Sequence, residues 1–228
     1  MKYTILSLFP EYFKSPFDVS IIKRAIDQQI ISIDLVDIRD FATDKHKTVD
    51  DRAYGGGPGM VLKPGPLVDA IRSVRRENSH VIYLSPQGKK LDAALCRELS
   101  SKSHLIIVCG HYEGIDQRVI DLEVDEEICI GDYVLTSGAP AAVVMVDSIT
   151  RFIPGTIGHP DAAKQDSFED GIFDTPHYTR PPEFEGLKVP DVLLSGHHSR
   201  IEAWRKKQAL EKTRDVRPDL YEAIKEPL

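Results

Sequence analysis

Five short apolar runs, interleaved with stretches at helical spacing, constrain this 228-residue chain more than any other feature. They are YTILSLF (3–9), ISIDLVDI (31–38), HVIYLS (80–85), HLIIVCG (104–110) and EEICIG (126–131), all strand-length and bounded by turn residues. Between them, Leu67, Ala70, Ile71 and Val74 recur at i, i+3, i+4 and i+7 behind Pro64, which suits a first helical turn. Leu91, Ala94, Leu95 and Leu99 make a second stripe, and Ala142, Met145, Val146 and Ile149 a third. Strand and helix in alternation predict an α/β fold: a mostly parallel sheet flanked by helices. With 41% hydrophobic residues the chain can bury a core of that kind.

Two stretches break the alternation. Residues 40–62 are polar, then glycine-rich, without periodicity; 153–171 are again irregular. Loops of that length in compact domains are usually functional or disordered. The second is placed as a linker (159–171) between an α/β domain (1–158) and a small domain (172–228), which is expected to be all-α, with a break near Pro218. Formal net charge is −7, which argues against a wholly basic nucleic-acid coat. Arg200 to Arg217 nevertheless carries seven Lys/Arg against three Asp/Glu, 7 − 3 = +4. On composition alone this is a solvated helix face; the sharper reading is a phosphate-contacting helix anchored by Trp204.

Cys96, Cys109 and Cys129 form no CxxC pair, so neither a zinc site nor a disulfide framework is supported. His177 and the His197–His198 pair lack metal-ligand spacing. The N-terminal run is cut by Pro10 and Glu11, unlike a signal peptide, and no apolar stretch approaches the roughly 18 residues of a membrane span. A soluble cytoplasmic protein is expected, with no membrane partner.

AYGGGPGM (53–60) places four glycines in five positions. It is not a Walker A loop, since no Lys-Ser or Lys-Thr follows at the required spacing. Nor is it a dinucleotide fingerprint, since Met60 stands at the last glycine position. A tight structural turn and a ligand role both remain open. YLSPQG (83–88), CGHYEGID (109–116) and IGDYVLTSG (130–138) each follow a strand, where α/β folds bind ligands. Each alone is weak, but three on one sheet edge suggest a pocket.

LFPEYF, TVDDRAYGGGPGM, YLSPQGKKLD, CGHYEGIDQRV, IGDYVLTSG, DSITRFIPG, DSFEDG, PHYTRP and VLLSGHHSRIEAWR occur together and in this order. Over nearly its whole length the chain resembles bacterial tRNA (guanine-N1-)-methyltransferases. The resemblance implies a trefoil-knotted, SPOUT-class α/β domain with a deep C-terminal knot, which no periodicity predicts. It also implies a homodimer with active sites shared between subunits, tRNA rather than DNA as partner, and S-adenosyl-L-methionine and Mg²⁺ as cofactors. The implied reaction is methylation of N1 of the guanosine at tRNA position 37, 3′ of the anticodon. By the same resemblance the cofactor would lie among Tyr83, Leu84, Ser85, Pro86, Gly110, Tyr112, Glu113, Gly114, Ile130, Gly131, Asp132, Tyr133, Val134, Leu135 and Gly138. Pro58 and Gly59 would face the guanine, so the glycines serve a nucleobase pocket rather than a phosphate cradle. Ser167, Arg205 and Lys206 would meet tRNA.

Methylating guanine N1 needs a base for its proton, a donor for charge growing on O6, and in-line placement. Asp161, Asp166, Glu169 and Asp170 all fall in the linker, and residue logic alone does not choose among them; Asp166-x-x-Glu169 also has capping-box spacing. The resemblance implies Asp166 as the base and Arg151 as its cationic partner, although Arg151 could simply cap a helix. Metal ligands are not indicated, Glu113 being a plausible nearby carboxylate. Two departures from the family pattern stand out: Ser137 replaces the first of two glycines and Ala139 a glutamate, which puts cofactor affinity in question. The competing readings are an RNA-binding module that has lost catalysis and a knotted methyltransferase acting at another RNA site.

Overall fold

The structure is a computed structural model and describes residues 1–158 and 166–224. The chain divides into two compact units, Met1–Pro160 and Asp161–Leu228. In the first, β1 (Lys2–Ser7), α1 (Lys14–Phe17), α2 (Ser20–Asp27) and β2 (Ser32–Asp37) are followed by two-residue strands β3 (Asp50–Asp51) and β4 (Val61–Leu62). Then come α3 (Pro64–Val74), β5 (Ser79–Lys90), α4 (Ala93–Ser100), β6 (His104–Cys109), α5 (Gln117–Glu123), β7 (Glu126–Cys129) and α6 (Ala139–Thr150). The five long strands form one sheet in the order β2-β1-β6-β5-β7, with every neighbouring pair parallel.

Alternation along each strand sends side chains to two separate cores. Tyr3, Ile5, Ile82, Leu84, Leu105 and Ile107 pack with α2, α4 and α6 on one face. Leu6, Val81, Tyr83, Ile106 and Val108 pack with α3 and α5 on the other. The helical stripes read in the sequence are the ones buried: Leu67, Ala70 and Ile71 of α3, Leu95 and Leu99 of α4, and Met145, Val146 and Ile149 of α6. α4 starts two residues later than its apolar stripe, because the Asp92 carboxylate caps it by accepting from Leu95 N–H at 2.8 Å.

The third strand is longer than its apolar run. Residues 82–84 of β5 pair with 126–128 of β7, the register then shifts, and Lys89 and Lys90 pair with Ile128 and Cys129 again. Gly88 lies so close to β7 in this excursion that a Cβ there would overlap the Glu127 carbonyl carbon and the Ile128 nitrogen.

At the opposite end of the sheet, His104 is 7% exposed, with Nε2 2.9 Å from Thr4 Oγ1 and Nδ1 2.8 Å from Ser79 Oγ. Burial, then the nearby Lys2 and Arg76, hold its pKa below the ordinary histidine value. The folded protein thus binds this proton less readily than the unfolded chain. The stabilisation is complete above about pH 6.5 and declines as pH falls from there toward the lowered folded-state pKa. Urea unfolding at pH 7.5 and 5.5 should give a lower midpoint at the acid value, and His104→Asn should flatten that difference.

The second unit departs from the all-α expectation. A hairpin of β8 (Glu183–Phe184) and β9 (Leu187–Lys188) precedes α7 (Asp191–Leu194), α8 (His198–Val216) and α9 (Pro218–Ala223). Its turn runs through Glu185 and Gly186, both at positive φ, a conformation that closes a two-residue hairpin. The break expected near Pro218 is real: Pro218 opens α9, where its missing N–H costs nothing.

Candidate active site

The C-terminal ends of β5, β6 and β7 open onto one cleft, walled by residues 83–86, 110–114, 128–131 and 133–138, with Ala141 at the start of α6. Three segments that are distant in sequence meet there because their strands are neighbours, β6-β5-β7. All fourteen of Tyr83, Leu84, Ser85, Pro86, Gly110, Tyr112, Glu113, Gly114, Ile130, Gly131, Tyr133, Val134, Leu135 and Gly138 lie on its walls. Asp132 is the exception among the expected residues; its side chain is exposed and outside the lining.

The glycines of the cleft are imposed by close approach. A Cβ on Gly138 would stand 2.9 Å from Cys109 Cα and 3.0 Å from Gly110 N, and the Gly138 N–H donates to Gly110 O at 2.8 Å. A Cβ on Gly110 would press on the Tyr83 ring at 3.0 Å. Tyr83 itself is 7% exposed, and burial raises its phenol pKa; it is a packed floor. A turn closed by Gly114 N–H to His111 O puts Tyr112 at φ +56°, a conformation a bulky residue holds only under constraint.

The glycine-rich loop is fastened to this cleft. Glu113 N–H donates to Met60 O, Leu62 N–H to Gly114 O and Asp116 N–H to Leu62 O, each at 3.0 Å. Gly59, at φ +90°, passes so near Glu113 that a Cβ would overlap its side chain. Pro58 and Gly59 are exposed beside that wall, and around Gly55, Gly56 and Gly57 the space is open.

Ser137, one of the two departures from the family pattern, lines the cleft. Its Oγ accepts from Ala139 N–H at 3.3 Å, within the first turn of α6. Ala139 is buried in the core. His111 lines the cleft, its backbone bridges to Ser137, and its ring makes T-shaped contacts with Phe9 and Tyr112 at 5.3 and 4.4 Å between centroids.

Neither expected catalytic residue is on the cleft wall. Arg151 is the C-cap of α6, so the helix-end placement foreseen for it is where its backbone lies. Since α6 begins at the cleft, a 12-residue rise puts Arg151 about 18 Å away along the axis. Asp166 belongs to the second unit, in a turn where Glu169 N–H donates to its carbonyl; no helix starts there, so the capping-box alternative is not realised. Ser167 Oγ accepts from Asp174 N–H at 2.9 Å. Asp161, with residues 159–165 of the expected linker, lies outside the described residues.

In the second unit, Trp204 is half-buried, 6.3 Å from the Tyr178 ring. Arg205 and Lys206 are exposed and, among the described residues, make no ion pair, whereas Lys207, Arg214 and Arg217 each face a carboxylate. Among the described residues no three His, Cys, Asp or Glu side chains converge as a metal group, and no helix is long and apolar enough to cross a membrane.

A doubly covered parallel sheet with a glycine-walled cleft past its strand ends has the architecture of α/β cofactor-binding enzymes. Residues 1–223 match the family described as tRNA (Guanine-1)-methyltransferase TrmD, and the chain belongs to that family. It is 61% identical over 216 residues to the tRNA (guanine-N(1)-)-methyltransferase of Protochlamydia amoebophila, covering 95% of this chain and 97% of that one. The enzyme of the same description from Dictyoglomus turgidum is 52% identical over 222 residues, covering 97% and 90%. That of Chlamydia pneumoniae is 56% identical over 221, and there the match spans 61% of the relative's length.

Proposed function

We propose that this chain methylates N1 of the guanosine at position 37 of tRNA, using S-adenosyl-L-methionine held in the cleft of the parallel sheet. The observation that carries the reading is the cleft's composition: glycine-lined, apolar at Leu84, Ile130 and Leu135, and fastened to a glycine loop with open space around Gly55, Gly56 and Gly57. When bound, the cofactor supplies a methyl group made electrophilic by its sulfonium. The chain's part is to place guanine N1 in line, remove its proton and steady its O6. Asp166 takes the proton and Arg151 donates to O6, with Pro58 and Gly59 against the base.

Two observations support a homodimer with shared sites. Among the described residues, Glu113 is the only Asp or Glu lining the cleft, and no Arg or Lys lines it. The Arg151 of the same subunit is a helix length away. A closed two-fold pair brings the base and arginine of one subunit to the cleft of the other. The trefoil knot belongs to the same reading, and the doubled pairing of β5 with β7 around Gly88 supports a tight chain crossing there. Glu113, the one carboxylate lining the cleft among the described residues, would hold Mg²⁺ together with water and substrate oxygens, the usual way in which that ion is bound.

Residues 1–158 form the cofactor domain in this reading, 159–171 the linker and 172–228 the tRNA-binding domain of a cytoplasmic enzyme. Arg205 and Lys206, exposed and without an ion pair among the described residues, suit phosphate contact. Lys206→Ala is expected to weaken tRNA binding and to lower the slope of log affinity against log salt by about one. An unchanged slope would make α8 a solvated face only. The overall test is incubation with labelled cofactor and unmodified tRNA: 1-methylguanosine at position 37 is expected, and label at another nucleoside, or none, refutes the proposal.

A further inference from the structure

We infer that His111 is a cofactor-binding residue whose Nε2–H donates to the carboxylate of the amino-acid end of S-adenosylmethionine; this rests on the cleft being the cofactor site. Nδ1 of His111 is buried and, among the described residues, meets no hydrogen-bond partner. A buried N–H without an acceptor costs more than a bare ring nitrogen, so a ring carrying one proton carries it on Nε2. Phe9 and Tyr112 both make T-shaped contacts with the ring, 5.3 and 4.4 Å between centroids, which favour this orientation of the imidazole. The imidazole therefore offers the cleft a donor.

What it would donate to follows from the rest of the wall. Among the described lining residues, His111 is the only Lys, Arg or His, and Glu113 is the only Asp or Glu. A ligand carboxylate is repelled by Glu113 and finds its one side-chain imidazole at His111. The backbone bridge from His111 to Ser137 sets it beside the first turn of α6, whose dipole favours the same charge. The purine, by contrast, fits the apolar stretch at Leu84, Ile130 and Leu135.

Two ligands separate this contact from a general role in shaping the cleft. S-adenosylhomocysteine carries the amino-acid end, and 5′-methylthioadenosine lacks it. By calorimetry, His111→Ala should weaken S-adenosylhomocysteine by about tenfold or more, as for a hydrogen bond to a charged group, and leave 5′-methylthioadenosine unchanged. His111→Gln, whose amide still donates, should recover part of the loss. In the wild-type protein, ¹⁵N spectra of the ring should report the Nε2–H form and a shift at Nε2 with S-adenosylhomocysteine only. Equal weakening of both ligands, or of neither, overturns the proposal while leaving the cleft as the cofactor site. A wild-type protein that binds neither ligand overturns the site itself, and the proposal with it.

Discussion

Asp166→Ala should retain S-adenosylmethionine affinity and lose methyl transfer, by about 10² to 10⁴-fold for a missing general base. The split is expected because Asp166 stands in the second unit and the cleft walls come entirely from the first. Single-turnover methylation at saturating tRNA, alongside calorimetry with the cofactor, reads the two quantities separately. A loss of affinity matching the loss of rate would make Asp166 a binding residue; full turnover would remove it from the reaction. Mixing subunits makes the test sharper. Gly138→Ala drives a methyl group against Cys109 and Gly110 backbone, so that variant should lose the cofactor while keeping Asp166. If the proposed shared site holds, each variant alone should be inactive, and hetero-dimers, which would pair the intact cleft of one subunit with the intact aspartate of the other, should regain one site of two. No recovery from folded, mixed dimers would mean that each subunit works alone.

Gly88→Ala is expected to unfold the α/β unit or leave it too unstable to purify, a cost of about 3 kcal/mol or more for overpacking against atoms that cannot yield. The obstruction is backbone, at Glu127 and Ile128, in a strand locked on both sides of the register shift. A flexible side chain could swing away; a paired strand cannot. Gly65→Ala, in the first turn of α3 with open space where its Cβ would go, is the matched control and should fold normally. Urea midpoints of the two variants, or their soluble yields if Gly88→Ala does not survive, decide it. Equal stability would mean that β5 and β7 are further apart than the register requires.

Strand positions and helix faces were legible because burial writes itself into period: Ile82 and Leu84 turn to one core while Val81 and Tyr83 turn to the other. The three cleft loops were legible as turn residues after strands, although the strand order that brings them together was not. Adjacency of β5, β6 and β7 is a tertiary fact with no local signal. The excursion at residues 85–88 was missed because Pro86 and Gly88 look like an ordinary strand end, and the return to β7 involves two lysines. The β8-β9 hairpin was missed because two-residue strands show no alternation. The enclosure of His111 Nδ1 had no signal either: a single histidine after a strand gives no sign of which nitrogen will be buried.

Met60, Leu62, Glu113, Gly114 and Asp116 share three backbone hydrogen bonds. Through them, the glycine-rich loop and the 110–114 wall of the cleft move as one plate. In the proposed reading the loop meets the acceptor base and the wall the donor, so the spacing between the two reactants would be built in before either arrives.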